Sequence, residues 1–173
     1  MKHLRANRGV PPFAWPGVPF QVALIEPEIP PNTGNIARLC AATGSILHLV
    51  GPLGFRIDDR AMKRAGLDYW DAVTIVRHPG WEAFMDAMRD ARLFFFSTGG
   101  ATLYTEVRYR AGDVLVFGSE SRGLPEGMLE TRRDRVLRLP VQPERVRSLN
   151  LATAAGIALY EALRQCAGPE GGC

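Results

Sequence analysis

Three short segments carry the residues whose types and spacing suit ligand chemistry. The first, EPEIPPNTGNIARLCAATG at 26–44, offers two amides, Asn32 and Asn35, and the guanidinium of Arg38. The second, VLVFGSESRGLP at 114–125, runs from an apolar stretch into Gly118, then Glu120, Arg122 and Gly123. The third, RVRSLNLATAAGIALYEALRQ at 145–165, opens with Arg147, Ser148 and Asn150. Amides, hydroxyls and guanidinium forks bind and orient polar ligands through hydrogen bonds, and arginine suits phosphate. Glycine at the end of a strand lets the backbone approach a ligand closely. The plainer reading of each segment stays open at this point. The second would be a strand-to-helix turn with a surface Glu–Arg pair, and the third a capped helix with an apolar stripe.

Other chemistries lack their residues. No GxGxxG follows the first apolar run and no GxxxxGK[ST] occurs, so dinucleotide and P-loop sites have no phosphate loop. His3, His48 and His78 have no metal-like spacing with acids or cysteines, and no metal is expected. His48 lies within an apolar run and reads as a satisfied core histidine. FGSESRG has no serine at the spacing of a nucleophile elbow.

The elements that must position these groups follow from apolar runs at 20–25, 46–50, 72–76, 93–97, 114–117 and 136–139. All but the last are nearly continuous, as expected for strands covered on both faces. Helical patterns fall near 33–43, 58–66, 80–90, 124–130 and 149–165. Such alternation predicts an α/β fold, a mostly parallel sheet with helices on both faces. Polar groups at the carboxyl ends of such strands sit where open α/β sheets bind ligands. In the first segment Pro30 and Pro31 read as ending the strand, Asn32 or Thr33 as the helix N-cap, and Gly44 as its C-terminal stop. In the third, Ser148 reads as the N-cap and Asn150 as first-turn.

The chain has 173 residues, 46% hydrophobic and 23% charged, enough for one domain with a real core. Residues 1–18 have no strand or helix period and read as a flexible N-terminal arm. Residues 19–168 read as the folded domain and 169–173 as a C-terminal tail. No apolar run is long enough to span a bilayer, so no membrane is expected. Three cysteines (Cys40, Cys166, Cys173) without metal spacing fit a reduced, cytoplasmic protein. The net charge is +3 and the only lysines are Lys2 and Lys63, so nearly all the positive charge is arginine. Charge alone leaves nucleic-acid contact and a merely solvated surface both open.

Taken in order, EPEIPPNTGNIARLCAATG, RAGLDYW, FGSESRGLP and RSLNLATAAGIALYEA resemble the SPOUT class of methyltransferases, most of all the TrmL-type tRNA 2′-O-methyltransferases. The resemblance covers roughly residues 20–165. It implies a SPOUT fold whose C-terminal part threads a trefoil knot, and a homodimer with active sites at the subunit interface. It also implies S-adenosylmethionine as methyl donor and tRNA as partner, with methylation of the wobble ribose (cytidine or uridine 34). By position, Phe96, Thr98, Gly118, Leu139, Ser148 and Leu149 would bind the cofactor. Arg38 matches the family's catalytic arginine and Asn32 the amide upstream of it, while Glu120, Ser148 and Asn150 match other active-site positions. Asn32 and Glu120 would hold Arg38, and Arg38 would orient the 2′-hydroxyl and a phosphate. QPERVRSLN departs from the pattern by about one extra residue before Arg147.

Two other readings come with it. One is an rRNA ribose 2′-O-methyltransferase of the same fold, against which the compact chain argues. The other is a noncatalytic RNA-binding module, which would not take up S-adenosylmethionine.

Overall fold

The computed structural model describes residues 13–55 and 70–167. The helical pattern at 58–66 and nearly all of RAGLDYW lie outside them, as do most of the N-terminal arm and the tail.

Seven strands form one parallel sheet in the order β3-β2-β1-β6-β4-β7-β5. They are β1 (Gln21–Ile25), β2 (Ile46–Val50), β3 (Ile75–His78), β4 (Leu93–Phe96), β5 (Thr102–Leu103), β6 (Val114–Phe117) and β7 (Val136–Arg138). The helices are α1 (Pro30–Thr43), α2 (Trp81–Ala87), α3 (Glu126–Glu130) and α4 (Leu151–Cys166). Alternate residues of each strand feed opposite faces. Val22, Leu24, Leu115 and Phe117 pack with Ile36 and Cys40 of α1 and Leu159 and Leu163 of α4. Ala23, Ile25, Val114 and Val116 pack on the other face with Phe84 of α2, and Met128 and Leu129 of α3 border that cluster. Coverage on both faces is why the strand sequences are continuously apolar. Each buried Phe, Leu or Val contributes about 1.5–3 kcal/mol.

Four local expectations need correction. First, Glu26 ends β1, not the prolines. It turns the chain with a left-handed φ of 49°, while its N–H still donates to Val50 O at 2.8 Å. Pro30 and Pro31 then form the first turn of α1, whose N-cap is Ile29. A helix's first N–H groups have no intrahelical acceptor, so proline loses nothing there. Gly44 stops the helix as expected, with φ 68°. Second, the N-cap of α4 is Asn150, whose side chain accepts from Ala152 N and Thr153 N; Ser148 lies outside the helix. Third, the run at 72–76 begins as a 3-10 turn (Trp70–Ala72), and β3 starts only at Ile75. β3 is an edge strand with an exposed middle, so its apolar pattern marks its limits poorly. Fourth, β5 is two residues long, too short to leave a period.

His48 is buried and satisfied. Gln21 donates its amide to Gly112 O at 3.2 Å, which turns Gln21 Oε1 toward His48 Nε2 at 2.8 Å. His48 Nε2 therefore carries the proton and its Nδ1 accepts from His78 Nε2 at 2.9 Å. Burial, then the neighbouring His78, pushes the His48 pKa down to about 4. Burial lowers that of His78 as well.

Candidate active site

Because all the strands are parallel, the carboxyl ends of β1, β4, β6 and β7 open on one edge of the sheet. The loops leaving β4, β6 and β7 meet there and enclose a cleft of about 600 Å³ together with the start of α1 and the start of α4. That is the size range of small-molecule sites. Its floor is apolar: the Phe96 and Phe117 rings stack with centroids 4.7 Å apart. Ser97, Thr98, Gly118, Leu139 and Leu149 line the cleft beside them.

The loop after β6 is built by its own glycines. Ser119 and Gly123 form an antiparallel bridge, and Gly123 adopts φ 68°. The chain doubles back so tightly that a Cβ on Gly118 would lie 2.0 Å from Gly123 C. Gly118 is thus demanded by the loop itself, a stronger reason than close approach to a ligand.

Two loops then clasp each other. Glu120 accepts from Glu28 N at 2.8 Å, Ile29 N at 3.2 Å and Asn32 Nδ2 at 3.0 Å. In return Glu28 accepts from Ser121 Oγ at 2.7 Å and Ser121 N at 2.9 Å. The Ser121 hydroxyl, then its amide, with Arg122 nearby, hold the Glu28 carboxyl below the ordinary carboxylate range. Arg122 pairs with Glu26 at 2.8 Å and lies 3.7 Å from Glu28. The Glu–Arg pair of the plainer reading of the second segment is not formed with Glu120; Arg122 reaches across to Glu26 and Glu28 of the first segment.

The third segment joins through amides. Asn150 Oδ1 caps α4, so its Nδ2 is left to donate, and it does so to Asn32 Oδ1 at 2.9 Å. Asn32 is oriented in turn: its oxygen faces Asn150 and its nitrogen faces Glu120. The chain Glu120–Asn32–Asn150 ties all three segments together at the cleft.

Of the positions singled out from sequence, Asn32, Phe96, Thr98, Gly118, Glu120, Leu139, Ser148, Leu149 and Asn150 all line this cleft. Arg38 is not among its lining residues; it lies on the exposed face of α1. Sequence reasoning missed Glu28 and Ser121 as parts of the clasp. Neither residue carries a local signal, because each partner lies 93 positions away. Among the described residues no group of three or more His, Cys, Asp or Glu could hold a metal ion. No helix among them is long and apolar enough to cross a membrane.

Comparison with known proteins agrees with this geometry. A tRNA (cytidine(34)-2′-O)-methyltransferase of Saccharophagus degradans is 51% identical over 147 residues, covering 84% of this chain and 95% of that protein. A solved structure described as "Structural insights into the 2-OH methylation of C/U34 on tRNA" superposes with a TM-score of 0.78 at 51% identity. It covers 84% of this chain and 95% of that one. An AdoMet-bound rRNA methyltransferase from Sinorhizobium meliloti superposes with a TM-score of 0.75 at 30% identity, covering 88% of this chain and 59% of that one. The family model described as the SpoU rRNA methylase family matches residues 19–160, a range that contains the clasped loops, Asn32 and Asn150. The chain belongs to the SpoU methylase family.

Proposed function

We propose that this protein transfers a methyl group from S-adenosylmethionine to the 2′-hydroxyl of the wobble nucleotide, cytidine or uridine 34, in tRNA anticodon loops. The observation that carries this reading is the 51% identity over 147 residues to a tRNA (cytidine(34)-2′-O)-methyltransferase.

The cleft suits the cofactor: it encloses about 600 Å³, Phe96 and Phe117 give it a stacked apolar floor, and Ser97, Thr98, Gly118 and Leu139 line it just past the strand ends. Backbone at Phe96, Thr98, Gly118, Leu139 and Leu149, with the Ser148 hydroxyl, would hold it. S-adenosylmethionine supplies, when bound, a methyl group already activated on a sulfonium. The chain's own residues do the positioning, which contributes on the order of 7–11 kcal/mol in well-oriented systems. Asn32, Glu120 and Asn150 keep the substrate side of the cleft in register with the cofactor side. Arg38 orients the 2′-hydroxyl and an adjacent phosphate; a guanidinium stays charged and donates hydrogen bonds, so its part is orientation and polarisation.

The reading includes a homodimer with its sites at the subunit interface. Ile157 and Tyr160 expose apolar surface on α4, which packs beside α1 and its exposed Arg38. A second copy over these faces would bring Arg38, which lies outside the cleft of its own chain, to a substrate. The C-terminal trefoil knot belongs to the same reading. It is supported by the tight crossing of the loop after β4 with β7: a Cβ on Gly100 would lie 2.7 Å from Leu137 C. A cytoplasmic location, where tRNA is found, goes with it.

The family's description and the Sinorhizobium meliloti neighbour favour a second reading, methylation of an rRNA ribose. Incubation of the purified protein with labelled S-adenosylmethionine, tRNA and rRNA, followed by nucleotide mapping, separates the two. Label at the ribose of nucleotide 34 is the expected result. Label confined to rRNA would replace the first reading with the second.

A further inference from the structure

We infer that Arg147 is the residue at the mouth of the cleft that grips an RNA phosphate, an inference that rests on the RNA-methylating reading above. The charges at the site are unequally matched. Glu26, Glu28 and Glu120 bring three carboxylates to the clasped loops. Arg122 lines the cleft too, but its guanidinium is engaged by Glu26 and Glu28. Arg147 lines the cleft, is exposed, and makes no ion pair or side-chain hydrogen bond within the described residues. It lies beside Ser148 in the segment that leads into α4, with Asn150 at the cap.

Glu120 is the carboxylate that lines the cleft, with Glu26 and Glu28 in the clasp behind it, and a polyanion entering there is repelled unless a cation meets it. Arg122 is committed to holding the loops. Arg147 is left with a full set of donors in a rigid fork whose geometry matches phosphate oxygens. Its exposure leaves the fork open at the rim of the cleft, within reach of a ligand as large as RNA. Arg145, two positions earlier, is also exposed and unpaired within the described residues but does not line the cleft. It provides the comparison that distinguishes a placed contact from general positive charge.

The test uses the full-length protein with tRNA and S-adenosylmethionine. Arg147→Ala is expected to raise KM for tRNA about tenfold, with kcat changed less, as for loss of a charged hydrogen bond. The slope of log affinity for tRNA against log salt should fall by about one. Arg147→Lys, which keeps the charge but loses the fork, should fall between Arg147→Ala and the wild type. Arg145→Ala should leave KM within about twofold, as for a charge making no phosphate contact. Calorimetric titration with S-adenosylhomocysteine should give the same affinity for Arg147→Ala and wild type. An unchanged KM and salt slope in Arg147→Ala would overturn the inference. So would equal effects of the two alanine variants, or a loss of S-adenosylhomocysteine binding, which would make Arg147 a cofactor ligand. If the wild-type protein itself methylates no RNA, it is the underlying reading that fails.

Discussion

Asn150 donates a hydrogen bond to Asn32 at 2.9 Å across 118 positions of sequence. Each amide has one orientation open to it, because Asn150 Oδ1 is used by the cap of α4 and Asn32 Nδ2 by the Glu120 carboxylate. A neutral donor facing a carboxylate is the central link of the site.

Asn32→Asp replaces that donor with a second carboxylate 3.0 Å from Glu120. It should lower the unfolding free energy by about 1–3 kcal/mol and reduce methyl transfer more than Asn32→Ala does. Adding Glu120→Gln to Asn32→Asp reverses the polarity of the bond and should recover part of both losses. Urea unfolding of the single and double variants measures the coupling. Additive losses would mean that the bond contributes nothing.

Arg38→Ala should abolish measurable methyl transfer, a fall of at least about a hundredfold as for removal of one transition-state donor. Because Arg38 is exposed, the melting temperature should hardly move. Binding of S-adenosylhomocysteine should be unchanged. Full activity in this variant would remove Arg38 from the mechanism.

The buried His48–His78 pair predicts a loss of stability in mild acid. The folded pKa of His48 is lowered to about 4 from 6.5, so between these values the unfolded chain binds protons that the folded chain refuses. Stability is therefore complete above pH 6.5 and declines as pH falls toward 4. The slope is about 1.4 kcal/mol per pH unit for each histidine held neutral. Urea midpoints at pH 7 and pH 5, compared with a variant in which both histidines are glutamine, isolate this contribution. Equal pH dependence in the two proteins would contradict it.

Gly118→Ala and Gly127→Ala should have opposite signs. At Gly118 a Cβ would overlap the backbone of Gly123 and Leu124 at 2.0 and 2.2 Å, so the loop must open, with a cost of at least about 2 kcal/mol and loss of cofactor binding. At Gly127, inside α3, nothing lies within 4 Å, and alanine should stabilise by about 0.5–1 kcal/mol. Thermal unfolding of both variants checks the pair.

Most of the frame was legible because its strands are covered on both faces and read as unbroken apolar runs. The helix ends were less so. Proline both breaks a strand and opens a helix, and only the turn at Glu26 decides which role Pro30 and Pro31 take. Ser148 and Asn150 are both good caps; Asn150 takes the cap while its amide also meets Asn32. The bonds of the clasp, and Glu28 and Ser121 as their partners, left no trace in the sequence. Glu28, Ser121 and Arg122 are ordinary surface residue types, and their bonds join positions more than 90 apart. The candidate cleft residues were legible as a group through the family motif, whereas composition and periodicity alone marked only the strand ends.

The same long spans bear on when the protein becomes competent during synthesis. Glu120 must be in place before the loop at Glu28 and Ile29 is held, and Asn150 must be in place before Asn32 is oriented. A nascent chain that ends before α4 carries the residues of all seven strands, yet it has neither the last wall of the cleft nor its amide link. RNA is abundant around a ribosome, and the cleft of this chain stays unfinished until the start of α4 has emerged to supply Asn150.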